Sequence, residues 1–201
     1  MKIRPYHFLH TRNLGIGISY FTIGLVTGFI STPLSIYLIQ ELNASPEIQN
    51  VIFILQTFPW ALKIFFGFIS DSFPILGMHR IPYLVLGACF YSLSFISYGF
   101  IGQDNIVLLS GCIFLGTSGL ILMDVIVDTL CVERSRFEPN HRRGDFQSSC
   151  YATRFGGTLV GEILGASVSS NFGYYRRLSF FSIMILSGFV PITLIFPFLF
   201  K

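Results

Sequence analysis

Five ionisable residues stand inside apolar sequence, where a charge is costly unless it faces protein or a water-filled cavity: Lys63, Asp124, Asp128, Arg154 and Glu162. Asp124 and Asp128 are four residues apart and so share one helix face. Two carboxylates on one buried face tend to share a proton, because each raises the other's affinity for it. That is chemistry a proton-coupled carrier needs; the alternative is a structural pairing with Lys63 or Arg134. Lys63 lies roughly 9 Å inside the end of its apolar stretch, at 1.5 Å per residue. It either snorkels to the headgroups or faces an anionic ligand as a cavity cation. Arg154 lies about 12 Å deep, too far in for easy snorkelling. Its planar fork suits a carboxylate, whether Asp124, Asp128 or one on a substrate. Glu162, two turns further along, either carries a proton or pairs with another helix.

The elements that hold these residues are membrane spans. The chain of 201 residues is 52% hydrophobic and only 11% charged, whereas a soluble domain carries about a quarter of its residues charged. A spanning helix needs about 20 mainly apolar residues, and six such stretches occur, at 14–39, 48–69, 81–101, 106–132, 146–169 and 178–200. The fifth is the weakest, because Gln147, Arg154 and Glu162 interrupt it. The expected class is therefore an all-α integral membrane protein. A short cytoplasmic N-terminus, 1–13, precedes a six-helix transmembrane bundle over 14–200. The first stretch is too long for the core of a cleaved leader and reads as the first span.

Glycines recur every four residues at Gly157, Gly161 and Gly165, and again at Gly24 and Gly28, a pattern that lets helices pack closely. Pro33, Pro59 and Pro191 predict kinks. Cys89, Cys112, Cys131 and Cys150 have no metal-site spacing and read as small packing residues. The histidines, His7, His10, His79 and His141, form no ligand pattern, and no hydrolase or nucleotide-binding signature occurs. No enzyme activity, metal or cofactor is expected. The basic loops are expected to set topology and meet anionic lipid rather than nucleic acid.

The link between the second and third stretches carries Gly67, Asp71, Gly77 and Arg80. Gly67 at a helix end suits close approach, Asp71 can pair with a cation, Gly77 permits a tight turn, and Arg80 anchors the next helix. Gly67, Asp71 and Arg80 resemble the gating signature of the major facilitator superfamily. The wider run Pro59, Trp60, Lys63, Gly67, Ser70, Asp71, Pro74 and Ile75 resembles the folate–biopterin transporter family more narrowly. Two later runs agree: Asp124, Asp128, Glu133, Arg134 and Arg136; then Gly144, Gln147, Arg154, Gly156 and Gly157. Ile64 departs from the family, which follows its Lys with Pro, and His79 stands in place of a second Arg.

The resemblance implies the N-terminal six-helix half of a twelve-span, proton-coupled carrier for folates or pterins, with a second half supplying the facing wall of the cavity. It implies substrate and coupling roles for Lys63, Asp124, Asp128, Arg154 and Glu162, and gating roles for Gly67, Asp71 and Arg80. Its expected partners are a folate or pterin, protons, the lipid bilayer and a second six-helix half, in a plasma membrane or plastid envelope. The competing readings are a half-length membrane protein that does not transport, and a facilitator for another small molecule.

Lys and Arg concentrate in cytoplasmic loops. With six spans, Lys2, Arg4, Arg12, Arg80, Arg134, Arg136, Arg142, Arg143 and Lys201 fall on the side of the termini, against Arg176 and Arg177 opposite. Both termini are therefore expected in the cytoplasm. A cysteine placed at Asn140 should react with a membrane-impermeant maleimide only after permeabilisation; labelling of intact cells would reverse the map.

Overall fold

The computed structural model describes residues 11–101, 104–169 and 178–192. Lys2, Arg4, His7, His10, Arg176, Arg177, Lys201 and the last part of the sixth stretch, 193–200, lie outside the described residues. Among the described residues the chain is helical, with no strand beyond one isolated bridge between Ile75 and Met78.

Helix α1 (Thr11–Ile36) runs on into one π-helical turn, Tyr37–Glu41. α2 (Pro46–Ala61) and α3 (Lys63–Ser72) form one span with a tightened turn at Leu62, where Leu62 N–H bonds the Pro59 carbonyl at 3.0 Å. α4 (Ile81–Ile101), α5 (Ile106–Ser135), α6 (Asp145–Ser169) and α7 (Phe180–Phe189) follow. Among the described residues, four helical segments are long and apolar enough to cross a membrane: Asn13–Glu41, Pro46–Ser72, Ile81–Ile101 and Ile106–Ser135. They coincide with the first four apolar stretches to within a few residues. α6 has 25 residues, which is roughly 37 Å of helix and long enough to span. It is less apolar, for the reason visible in Gln147, Arg154 and Glu162. α7 is described over ten residues.

Pro33 lies within α1 without ending it. The irregular segment comes later, at the π-helical turn, which turns Tyr37 into the protein. Pro191 stands in a two-residue turn that follows α7, with helix again at Ile192.

Several helix ends and hydroxyls are satisfied locally, as hydrocarbon requires, although the buried Ser92 hydroxyl finds no partner among the described residues. The Asn105 side chain accepts from the N–H groups of Val107 and Leu108 and caps α5. Glu138, almost fully buried, accepts from Gly144 N at 2.8 Å and Phe146 N at 2.6 Å and so ties down the start of α6. Ser19, Thr22 and Thr27 donate to carbonyls four residues back on α1.

The tightest packing is between α1 and α6. A Cβ added to Gly157 would come within 2.2 Å of the Phe21 carbonyl oxygen, one on Gly161 within 2.2 Å of Leu25 O, and one on Gly165 within 2.3 Å of Phe29 O. From the other side, Gly24 lies against Arg154 O and Gly28 against Thr158 O. The two glycine stripes noted in the sequence thus face each other, and the backbones touch over three turns. This packing fixes the axial register of α6 on α1, and with it the height of Arg154. α4 and α5 repeat the device once, at Gly87 and Gly119.

Gly156 and Gly157 make a matched test, because a Cβ on Gly156 meets nothing within 4 Å. Gly157→Ala should destabilise the protein by about 1–3 kcal/mol through overpacking, read as a lowered Tm in detergent. Gly156→Ala should be neutral or slightly stabilising, since Ala is the better helix former. Equal Tm values for the two variants would disprove the close contact.

Candidate functional site

Four of the five intramembrane charges meet in one cluster. Asp124 and Asp128 lie on the same face of α5, as their spacing requires. Lys63, the first residue of α3, reaches across and bridges both: its Nζ is 2.7 Å from Asp124 Oδ2 and 2.6 Å from Asp128 Oδ2. Arg154 Nη1 donates to Asp124 Oδ1 at 2.6 Å. The Tyr20 hydroxyl of α1 donates to Asp128 Oδ1 at 2.5 Å. Every carboxylate oxygen of the pair therefore has its own donor. The Asp124 side chain is 0% exposed and that of Asp128 22%. Two cations balance two carboxylates, which lets Asp124 stay charged in a dry site. Removing one partner of such a pair costs about 3–5 kcal/mol.

The open alternatives in the sequence resolve as follows in this conformation. Lys63 turns inward to the carboxylates instead of snorkelling. Lys63, not Arg134, is the cation recorded against both. Arg154 takes Asp124. Glu162 is not brought to the cluster in this conformation: it is exposed on α6, one residue past the Gly161 contact with α1.

Trp60 adjoins the cluster from α2. Its ring centroid is 5.7 Å from Lys63 Nζ and 5.4 Å from Arg154 Cζ, within cation–π range of both. The same Trp60 lines a cavity of about 300 Å³ that extends from the cluster toward the α2 and α5 N-termini. Its wall is mainly apolar and aromatic, including Tyr91 and Phe95, with Thr27, Gln56 and Thr117 as polar groups. Small-molecule sites have this character: an apolar chamber with a few placed polar groups. Trp60 thus belongs both to the chamber wall and to the surroundings of the charges.

A second ionic group lies at the α3–α4 link. Arg80 pairs with Asp71 through Nη1 and with Glu133 through Nη2 at 3.1 Å. Both carboxylates are exposed. Partial burial opposes the charge on Arg80, but hydrogen bonds to Asp71 and Glu133 outweigh it and raise the guanidinium pKa above its ordinary value. Arg80 hence stays charged at any working pH. Exposed pairs contribute only about 0–1 kcal/mol each, so the clamp holds α3, α4 and α5 together weakly. Between its members the chain turns on Leu76 and Gly77, at φ 52° and 73°, with paired hydrogen bonds between Ile75 and Met78. The expectation for Gly77 holds. That for Gly67 does not in this conformation: an added Cβ would meet only Val125 Cγ1 at 3.6 Å, an ordinary contact.

Three contributors escaped the candidate residues read from the sequence. Tyr20 gives no signal there, being one aromatic among many on an apolar helix. Glu133 sits within a quoted motif, one helical turn past Thr129, yet its pairing with Arg80 spans 53 residues. Trp60, the single Trp of the chain, belongs to the run Pro59 to Ile75, but nothing in that run marks it as a neighbour of both cations.

The model of the BT1 family matches residues 23–201. The chain is 34% identical over 157 residues to probable folate-biopterin transporter 4 of Arabidopsis thaliana, covering 76% of this chain and 31% of that protein. It is 32% identical over 160 residues to the folate-biopterin transporter of Synechocystis sp., covering 75% and 29%. It is 31% identical over 102 residues to folate transporter 1 of Plasmodium falciparum, covering 50% and 20%. The chain thus spans about a third of the length of the first two relatives. No solved structure matches it. A family match running from residue 23 to residue 201 places this multi-pass membrane chain in the BT1 family, the folate-biopterin transporters.

Proposed function

We propose that this chain is one six-helix half of a major-facilitator-type carrier for folates or pterins, coupled to protons. The observation that carries the reading is the position of Trp60, in the wall of an apolar chamber and beside Lys63 and Arg154. A flat pterin ring needs an aromatic surface to stack on, and a folate adds carboxylates that need cations. Both stand within one ring's width here. The names of the relatives supply the substrate class.

Coupling follows from the shared partner. Arg154 cannot serve Asp124 and a substrate carboxylate equally. When it turns to the substrate, Asp124 loses one of its two cations and becomes the place to hold a proton. Glu162 remains a second coupling candidate only if a rearrangement brings it inward. The Asp71–Arg80–Glu133 clamp, with Gly67 on α3, is the gating element in this scheme, weak enough to open and close.

The remaining wall of the carrier would come from a second six-helix half. The exposed apolar rows of α2 and α3, with Phe58, Ile64, Phe65 and Phe68, and of α6, with Phe155 and Leu159, suit that partner or lipid.

The direct test is uptake of labelled folate and biopterin in a transport-deficient host, by this chain alone and by the full reading frame that encodes it. Uptake by neither would reject the carrier reading. Within a transporting protein, Arg154→Ala should weaken folate binding at least about tenfold, equivalent to about 1.4 kcal/mol, and biopterin binding less. Unchanged folate affinity would remove Arg154 from the site. Asp71→Asn keeps shape and deletes charge, so the protein should insert normally and transport more slowly by about tenfold; wild-type rates would exclude Asp71 as a gate.

A further inference from the structure

The cluster is charge-balanced before any ligand arrives, and this constrains how a ligand can enter. Lys63 and Arg154 contribute two positive charges, Asp124 and Asp128 two negative, and all four carboxylate oxygens are occupied. No spare cation is built into it for an incoming anion. A ligand carboxylate drawn to Arg154 leaves the cluster one negative charge in excess, at a depth where Asp124 is 0% exposed. An uncompensated buried charge costs several kcal/mol. A neutral ligand in the adjoining chamber changes nothing in this balance.

Resting on the folate or pterin reading above, we infer that proton coupling in this protein is set by the charge of the ligand: each carboxylate seated against Arg154 is accompanied by one proton on Asp124, whereas an uncharged pterin binds with none. The geometry selects Asp124 as the acceptor. Arg154 is its partner and not that of Asp128. Asp128 keeps both the Tyr20 hydroxyl and Lys63 when Arg154 moves. The groups that face the pair are Lys63 from α3, Arg154 and Tyr151 from α6, Tyr20 from α1 and the Trp60 ring from α2; Cys131 and Cys150 lie beside Tyr20 and Asp128. Among these, Lys63 is already shared by two carboxylates and cannot absorb a third without releasing one. The proton is taken from solvent and bound to a carboxylate oxygen of Asp124, so charge is conserved.

The sign follows from linkage. A complex that holds one more proton than the free protein and ligand forms more readily at low pH, and its affinity falls about tenfold per pH unit while Asp124 is ionised in the free state. A complex that takes up no proton has an affinity independent of pH.

Two ligands that differ in one group separate these cases: 6-hydroxymethylpterin and pterin-6-carboxylate. The purified product of the full reading frame in lipid nanodiscs is titrated with each by calorimetry, from mildly acidic to neutral pH, in buffers of different ionisation enthalpy. The expected result is one proton taken up for the carboxylate, with about a tenfold loss of affinity per pH unit, and none for the alcohol. Asp124→Asn leaves the cluster with one spare positive charge, so it should bind the carboxylate without proton uptake and with a flat pH profile. Asp128→Asn should retain the uptake. The alcohol serves as the folding control for both variants, and if a variant binds neither ligand the wild-type proton count decides alone. Carboxylate binding with no proton uptake overturns the inference, as does uptake that persists in Asp124→Asn or is replaced by a dependence on sodium. Failure of both ligands to bind the wild-type full-length protein rejects the pterin reading itself, and this inference with it.

Discussion

Asp124 sits at 0% exposure in a span of mostly apolar residues, and a carboxylate there stays ionised only if the protein brings positive charge to it. Much of the structure answers that requirement. Lys63 comes from α3 and Arg154 from α6, so α3, α5 and α6 are held to one another through a single side chain. Tyr20 adds the first span by way of Asp128. The remaining helices contribute packing. The charged centre is therefore both a structural tie and the place where ligand chemistry is possible, and either use alters the other.

Such a tie works only if its members arrive at one height. Salt bridges of 2.6–2.7 Å leave no slack for a helix to slide by a residue. The glycine contacts between α1 and α6 supply the needed accuracy, because backbone against backbone has no side chain to adjust. Gly24 rests on the carbonyl of Arg154 itself. The tightened turn at Leu62 serves the same end from the other side: it starts a new helical segment at Lys63 and aims that residue at α5. Rigid contacts place the charges, while the charges themselves remain free to change partners.

The second ionic group contrasts with the first in strength. Asp71, Arg80 and Glu133 lie near water, where each pair adds little. The loop between them is kept in shape by its own backbone, through the Leu76–Gly77 turn and the bond from Tyr83 hydroxyl to Phe73 carbonyl at 2.7 Å. The clamp is therefore weak and its loop firm, whereas the buried cluster is bound by short, charge-assisted contacts. One protein thus carries a charge-balanced network centred on a fully buried carboxylate and a weaker, more exposed one at the end of the bundle.

The amino-acid sequence by itself determined what depends on neighbours along the chain. Spans are legible because about 20 apolar residues in a row suffice to cross lipid, and the first four boundaries fall within a few residues of the helices observed. The shared face of Asp124 and Asp128, the left-handed Gly77 and the paired glycine stripes follow from the helical repeat or from one residue's backbone. The family was legible from three motifs in order. Only the tertiary structure decided which charges meet. That depends on how far each helix is rotated about its own axis, and helices apolar on every side carry almost no record of that rotation. Lys63 therefore bridges two carboxylates, Glu133 joins Asp71 and Arg80, Tyr20 enters unannounced, and Glu162 stays exposed, although local sequence treats them all alike. A charge in a span announces that it needs a partner; the packing of helices around it supplies the name.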